Sequence, residues 1–125
     1  MLQNYLNELK RILIELNPYK AILFGSYAYG KPDDDSDIDL IVVLNNDNIP
    51  KDFDERIQNY TIVKNYLRAL NCKIAMDIIV YTKSEWNIFV KAENSFTKEV
   101  LERGKVLIWN MLSLFMFLLK VFLRE

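Results

Sequence analysis

The chain has 125 residues, with 16 Lys or Arg against 17 Asp or Glu, so its formal net charge is −1. It contains no histidine and one cysteine, which excludes Ser-His-Asp and Cys-His catalysis, His-ligated zinc and internal disulfides. This length predicts one domain, and the balanced charge gives no indication of direct nucleic-acid binding through a broad basic face.

The first third of the chain predicts a helix and two strands. Leucine and isoleucine recur at three- and four-residue steps from Leu2 to Leu16, which is the pattern of one apolar helix face. Residues 20–24 form a short apolar run that predicts a buried strand, and residues 37–44 predict a second one. The intervening residues are rich in Gly, Asp, Ser and Pro, which favours a loop or a broken helix.

The rest of the chain predicts a long helix, a third strand and two shorter helices. The third strand is expected over residues 73–81, with Thr82 or Ser84 capping a helix through residue 92 and Ser95 capping another through residue 103. The order of elements predicts the α/β (α+β) class, with a small mixed β-sheet flanked by helices. The long helix, over residues 52–70, carries one apolar stripe: Phe53, Ile57, Tyr60, Val63, Leu67 and Leu70.

Three carboxylates fall on the predicted strands. Asp37 and Asp39 are two residues apart, so they project to one face, and Asp77 joins them if the second and third strands are neighbours. Clustered carboxylates repel one another, and without His or Cys they suit Mg²⁺ or Mn²⁺. Gly25 and Ser26 follow the first strand, where a glycine lets backbone N–H groups approach a phosphate. Together these residues predict a site for a nucleoside triphosphate and a metal.

Each of these residues also has a purely structural interpretation. Asp37 and Asp39 can begin a strand after a turn, where Asp is common. Asp77 can lie on an edge strand and face water, and Ser26 can cap a helix.

The stretch GSYAYGKPDDDSDIDLIVVL resembles the nucleotidyltransferase motif, in which Gly-Ser is followed at a fixed gap by Asp-x-Asp. Asp77, in MDIIV, is similar to the third carboxylate of that family. Size and layout resemble the minimal nucleotidyltransferase (MNT) domain of the polymerase-beta-like superfamily over residues 1–109.

The resemblance implies a polymerase-beta-like nucleotidyltransferase fold and the transfer of AMP from ATP to a hydroxyl. It implies two Mg²⁺ ions at Asp37, Asp39 and Asp77, and triphosphate binding at Gly25 and Ser26. Small MNT proteins act as antitoxins by adenylylating a tyrosine of a HEPN ribonuclease toxin, so a HEPN-type toxin is the expected partner.

Two alternative functions remain at this stage: a non-catalytic antitoxin that binds its toxin, and a small-molecule nucleotidyltransferase of the aminoglycoside type. The family pattern often has Arg where this chain has Tyr29, and Lys31 is a candidate to supply the phosphate contact instead. The acidic residues 33–35 also depart from the pattern, and a solvated loop is expected for them.

The C-terminal segment is the least ordinary part of the sequence. Residues 106–123 are almost entirely apolar, and a helix over residues 110–125 is expected to pack on the domain, to dock on a partner or to join a second copy. Membrane contact is the least favoured interpretation, because the run is short for a span and contains Lys120. The N-terminus carries charges within its apolar pattern, so a cytoplasmic protein without an export signal is expected.

Overall fold

The computed structural model describes residues 2–33, 35–110 and 118–123. It confirms the predicted mixed sheet flanked by helices. In chain order the elements are α1 (Leu2–Leu16), β1 (Lys20–Phe24), α2 (Gly25–Tyr29), β2 (Ile38–Val43), α3 (Phe53–Asn71), β3 (Met76–Tyr81), α4 (Lys83–Lys91), α5 (Ser95–Arg103) and β4 (Lys105–Trp109).

The strands of the described residues form one sheet in the order β3-β2-β1-β4. β1 is antiparallel to both of its neighbours, whereas β2 and β3 are parallel. As a result β1 ends, and the other strands begin, at the same end of the sheet along the strand direction. We call this end the upper edge. The predicted site residues all lie at this edge.

Alternation along the strands divides the core between the two faces of the sheet. Leu40 and Val42 of β2 pack with buried side chains of α1 and α3. Ile41 and Val43 point the other way and pack with aromatic and aliphatic side chains of α4 and α5. Both faces of β2 are therefore covered, which explains its continuous apolar sequence.

The apolar stripe predicted along α3 is buried over only half of its length. Val63, Leu67 and Leu70 are fully buried, whereas Phe53 is 72% and Ile57 is 44% exposed. The helix begins beyond the part that α1 and the sheet cover, so its first two turns carry apolar residues on the surface.

Two sequence predictions about element boundaries are wrong. β3 begins at Met76 rather than at residue 73, because the amides of Lys73 and Ile74 both donate to the carbonyl of Leu70 and close the end of α3. Asn94 rather than Ser95 caps α5, since its side chain accepts from the amide of Thr97. Thr82 caps α4 as expected, in a reciprocal capping box with Glu85.

The apolar C-terminal run begins with strand β4, which ends before the helix predicted over residues 110–125. β4 pairs with β1, so a non-local hydrogen-bonding partner decides its conformation. Beyond it, residues 118–122 are helical, and Phe122 is 77% exposed. The remaining residues of the predicted C-terminal helix lie outside the described ones. No helix in the described ranges is long and apolar enough to cross a membrane.

Two charged side chains fix elements at the opposite, lower edge of the sheet. The Nζ of Lys20 lies 5.4 Å from the ring centroid of Trp86 and 4.5 Å from that of Trp109, between both tryptophans of the chain. The guanidinium of Arg56 contacts the carboxylate of Glu85 at 2.9 Å. Only 9% of the Glu85 side chain is exposed, so this ion pair compensates a buried charge.

Candidate active site

Strand register brings the predicted carboxylates together at the upper edge. Asp39 is the Cα partner of Asp77 across the parallel β2–β3 pair and of Phe24 across the antiparallel β1–β2 pair. Gly25 follows Phe24 directly, and Asp37 lies just before β2 begins. β3 is an edge strand and Asp77 is exposed, as its structural interpretation required. Asp77 is nevertheless the Cα partner of Asp39, so an exposed position on an edge strand is compatible with a place in the carboxylate cluster.

Gly25 lies against the carboxylate of Asp39. Its φ of +70° is in the left-handed region, and a Cβ atom built on it would overlap a carboxylate oxygen of Asp39. The glycine is therefore required for two reasons, its backbone conformation and this close approach. It brings the backbone of the β1–α2 turn next to the carboxylates.

Ser26 is available for a ligand. Phe24 occupies the N-cap position of α2 without a side-chain hydrogen bond, so Ser26 does not cap the helix as its structural interpretation proposed. The backbone oxygen of Ser26 accepts from the amides of Gly30 and Lys31, which closes the turn.

The carboxylates interact electrostatically. Burial raises the pKa of Asp39, and the neighbouring charges of Asp77 and then Asp37 raise it further. No ion pair in the described part of the chain involves any of the three. The cluster is therefore negative and uncompensated by the protein's own cations.

This donor set suits a hard divalent cation, because carboxylate oxygens are the preferred ligands of Mg²⁺ and a cation between Asp39 and Asp77 would relieve their repulsion. Within the described residues no three His, Cys, Asp or Glu side chains are already placed as the ligands of one ion. The fit thus rests on the chemistry of the donors and on their register, and side-chain rotation is needed to complete a coordination sphere.

A cleft of about 600 Å³ opens beside Asp37. Tyr5 of α1 and Tyr27 of α2 contribute to its walls, with Ile74 and Ala75 before β3. Asp33 also borders it, but its carboxylate accepts from the amide of Asp35 and from the Ser36 hydroxyl, so it stabilises the local turn. Asp33 and Asp35 are exposed, as the solvated-loop prediction requires, while residue 34 lies outside the described ones.

A cation lies beside α2, close to the β1–α2 turn. The guanidinium carbon of Arg103, the last residue of α5, is 3.9 Å from the ring centroid of Tyr29. Burial raises the pKa of the Tyr29 phenol, the backbone of Gly25 opposes this rise, and Glu99 adds to it. The Tyr29 hydroxyl has no hydrogen-bond partner among the described residues. Nothing in the sequence pattern singled out Arg103, because its approach to α2 depends on how α5 packs.

The model of the family described as "Polymerase beta, Nucleotidyltransferase" matches residues 7–110, which include every predicted site residue. The chain belongs to this family. It is a nucleotidyltransferase, and its mixed sheet with flanking helices is the fold of polymerase-beta-like nucleotidyltransferases.

Individual relatives agree with this assignment. The chain is 35% identical over 89 residues to a Methanocaldococcus jannaschii protein named "Putative protein adenylyltransferase MJ0604", covering 70% of this chain and 76% of that protein. A crystal structure described as a toxin-antitoxin with AMP-PNP matches with a TM-score of 0.52 and 21% identity, over 92% of this chain and 82% of the other. A crystal structure described as "a putative nucleotidyltransferase from Sulfolobus solfataricus" gives a TM-score of 0.55 at 21% identity, over 84% of this chain and 80% of the other. At these identities the two structures establish the shared fold.

Proposed function

We propose that this nucleotidyltransferase transfers AMP from ATP to a hydroxyl of a partner protein, and that the acceptor is a tyrosine of a HEPN-type ribonuclease toxin. The protein would then act as a cytoplasmic antitoxin. The M. jannaschii relative, whose name describes a protein adenylyltransferase, supports a protein as the acceptor. The toxin–antitoxin neighbour with AMP-PNP shares the fold, which is compatible with a toxin partner.

The observation that carries the proposal is the placement of Asp39 between Asp77 and the Gly25 turn. Phosphoryl-type transfer needs charge compensation and positioning more than covalent chemistry from the protein. Carboxylates suited to a divalent cation, directly beside the glycine turn that follows β1, would provide both.

In the proposed mechanism Asp37, Asp39 and Asp77 would hold two Mg²⁺ ions, which supply Lewis-acid stabilisation of the phosphates and of the acceptor oxygen. The backbone at Gly25 and the Ser26 hydroxyl donate to the β- and γ-phosphates. The oxygen of the acceptor hydroxyl attacks the α-phosphorus, and Asp77 accepts the proton that this hydroxyl loses. The bond from the α-phosphorus to the bridging oxygen breaks, and pyrophosphate leaves.

Labelled ATP tests the proposal directly. The purified chain is incubated with Mg²⁺, ATP labelled at the α-phosphate and a HEPN-type toxin as the acceptor protein. We expect label on that protein, and its loss with Asp39→Asn. The matched control is Asp47→Asn, which removes one exposed carboxylate from the loop after β2, at the lower edge.

Other outcomes separate the alternatives. A complex that blocks the toxin without transferring label would contradict catalysis and support an antitoxin that acts by binding. Label on an aminoglycoside but not on protein would indicate a small-molecule transferase. Full transfer by Asp39→Asn would refute the metal assignment.

We also propose that residues 1–109 form the catalytic domain and that residues 110–125 dock on the partner, on the domain or on a second copy. The exposed apolar side chains of Leu118, Phe122 and Leu123 support docking, since each is at least half exposed. A chain ending at Asn110 tests this. Loss of toxin binding at unchanged Tm supports the partner, a lowered Tm supports packing on the domain, and conversion of a dimer to a monomer supports self-association.

A further inference from the structure

The upper edge of the sheet carries a cation on the side opposite the carboxylates. Leu23 of β1 is the Cα partner of Lys105 of β4. Gly25 begins α2 two residues after Leu23, and Arg103 ends α5 two residues before Lys105, so the start of α2 and the end of α5 lie near this edge. The strand order β3-β2-β1-β4 therefore puts Asp77 and Asp39 on one side of the β1–α2 turn and Arg103 on the other.

Tyr29 holds Arg103 at the turn. The guanidinium lies over the ring of Tyr29 at 3.9 Å from its centroid, and the phenol of the same tyrosine is close to the backbone of Gly25. A guanidinium stacked on an aromatic face is positioned by that face while its N–H groups along the edge remain available. The contact therefore orients a planar donor beside the turn.

The guanidinium is available to a ligand. Arg103 is exposed, and no carboxylate forms an ion pair with it in the described part of the chain. Glu99, one helical turn earlier, approaches Tyr29 but stays outside ion-pair distance of Arg103. Lys31 and Lys105 are two further exposed cations near this edge, and neither has the aromatic contact that holds Arg103 beside the turn.

We propose that Arg103 binds the terminal phosphates of the nucleoside triphosphate and thereby sets the preference for a triphosphate over a monophosphate. The inference rests on the proposed function, because it requires the α-phosphate near Asp39 and the rest of the chain of phosphates across the Gly25 turn. With that polarity the β- and γ-phosphates extend toward Arg103, and a guanidinium matches their oxygens in a bidentate geometry.

Equilibrium binding of ATP and of AMP, each with Mg²⁺ and without partner protein, tests this assignment. Arg103→Gln is expected to weaken ATP binding about 10- to 100-fold, the range of a lost charge-assisted hydrogen bond, and to change AMP binding less than about twofold. Arg103→Lys keeps the positive charge but lacks the paired N–H donors of the guanidinium, so its ATP affinity should lie between those of the wild type and Arg103→Gln. Lys98→Gln is the matched control, because it removes a cation of α5 that lies about 140° around the helix from Arg103.

Tyr29 provides a second and independent perturbation. Tyr29→Leu removes the aromatic face under the guanidinium and should weaken ATP binding in the direction of Arg103→Gln, whereas Tyr29→Phe keeps that face and should weaken ATP binding less than Tyr29→Leu does. Circular dichroism and Tm establish that each variant is folded.

Several results would overturn the assignment of Arg103. The assignment fails if Arg103→Gln binds ATP as tightly as the wild type, or if it loses affinity for ATP and AMP equally. It also fails if Lys98→Gln loses as much ATP affinity as Arg103→Gln, or if Lys31→Gln shows the full loss and Arg103→Gln shows none. A wild-type protein that binds ATP but modifies no partner would refute the proposed function, and the binding series would still decide the role of Arg103. A wild type that binds no ATP would refute both.

Discussion

Asp39→Asn is expected to abolish AMP transfer and, in the absence of divalent cations, to stabilise the fold. The change keeps the shape of the side chain and removes the central charge of the three carboxylates. Burial and the two neighbouring carboxylates raise the pKa of Asp39 above the usual 3.8. The ionised wild-type side chain therefore destabilises the folded state at neutral pH.

The size of the effect follows from the register of β2 and β3. Neighbouring strands lie about 4.8 Å apart, so carboxylates on Cα partners such as Asp39 and Asp77 are separated by about 5 Å. Their repulsion is about 0.8 kcal/mol in water and about 3 kcal/mol at an effective dielectric constant of about 20. Because Asp77 is exposed, the lower end applies, and we expect a gain of about 1 kcal/mol in the free energy of unfolding. That corresponds to about 4 °C in Tm for a domain of this size.

Thermal unfolding in EDTA at pH 7.5 and in Mg²⁺ measures both effects. The folded state binds the Asp39 proton more tightly than the unfolded state, so wild-type stability decreases as pH rises from 3.8 through the raised pKa and stays lower above it. Asp39→Asn lacks this decrease. Mg²⁺ should stabilise the wild type and leave the variant unchanged, and Asp47→Asn should follow the wild type in both buffers.

A lower Tm of Asp39→Asn than of the wild type in EDTA would refute the repulsion argument, since it would mean that the carboxylate stabilises the metal-free fold. Equal stabilisation of both proteins by Mg²⁺ would refute the placement of the metal at Asp39.

Three further substitutions test other contacts. Gly25→Ala should lower the free energy of unfolding by about 1–3 kcal/mol and abolish transfer, because it combines strain at positive φ with overlap on a carboxylate oxygen; Gly30→Ala has the same strain in open space, so thermal unfolding should show a smaller loss. Lys20→Met removes the cation between the two tryptophans and should change the intrinsic fluorescence of the folded protein, whereas Lys20→Arg should preserve it. Arg56→Gln removes the ion-pair partner of the buried Glu85 carboxylate and should lower the free energy of unfolding in urea by about 1–3 kcal/mol. Arg56→Lys should recover part of that stability.

Local patterns in the sequence were sufficient to predict the mixed sheet and the position of its carboxylates. β2 is apolar on both faces, and the glycine and the spaced aspartates that border it have few other uses in such a setting. Asp77 is expected beside Asp39 only if β2 and β3 are neighbours, and the register of the two strands confirms that condition. The roles of these residues remain predictions, while their proximity is now established.

Features that depend on distant partners could not be predicted. The residues of β4 are as compatible with a buried helix as with a strand, and pairing with β1 decides between them. The exposed start of α3 has the same apolar spacing as its buried end, so periodicity cannot tell where the covering elements stop. Arg103 reaches α2 only through tertiary packing, and one basic residue at a helix end carries no pattern.

The parallel pairing of β2 with β3 makes the enzyme divisible. Backbone hydrogen bonds across the two strands set the spacing of Asp39 and Asp77, and the segment that joins the strands leaves β2 at the lower edge and reaches β3 at the upper edge. A cut in the exposed loop near Asn48 would put Gly25 and Asp39 on one fragment and Asp77 on the other. Neither fragment would hold all three carboxylates of the proposed metal site, so the proposed AMP transfer would report their reassembly, and the chain is suited to conversion into a split enzyme.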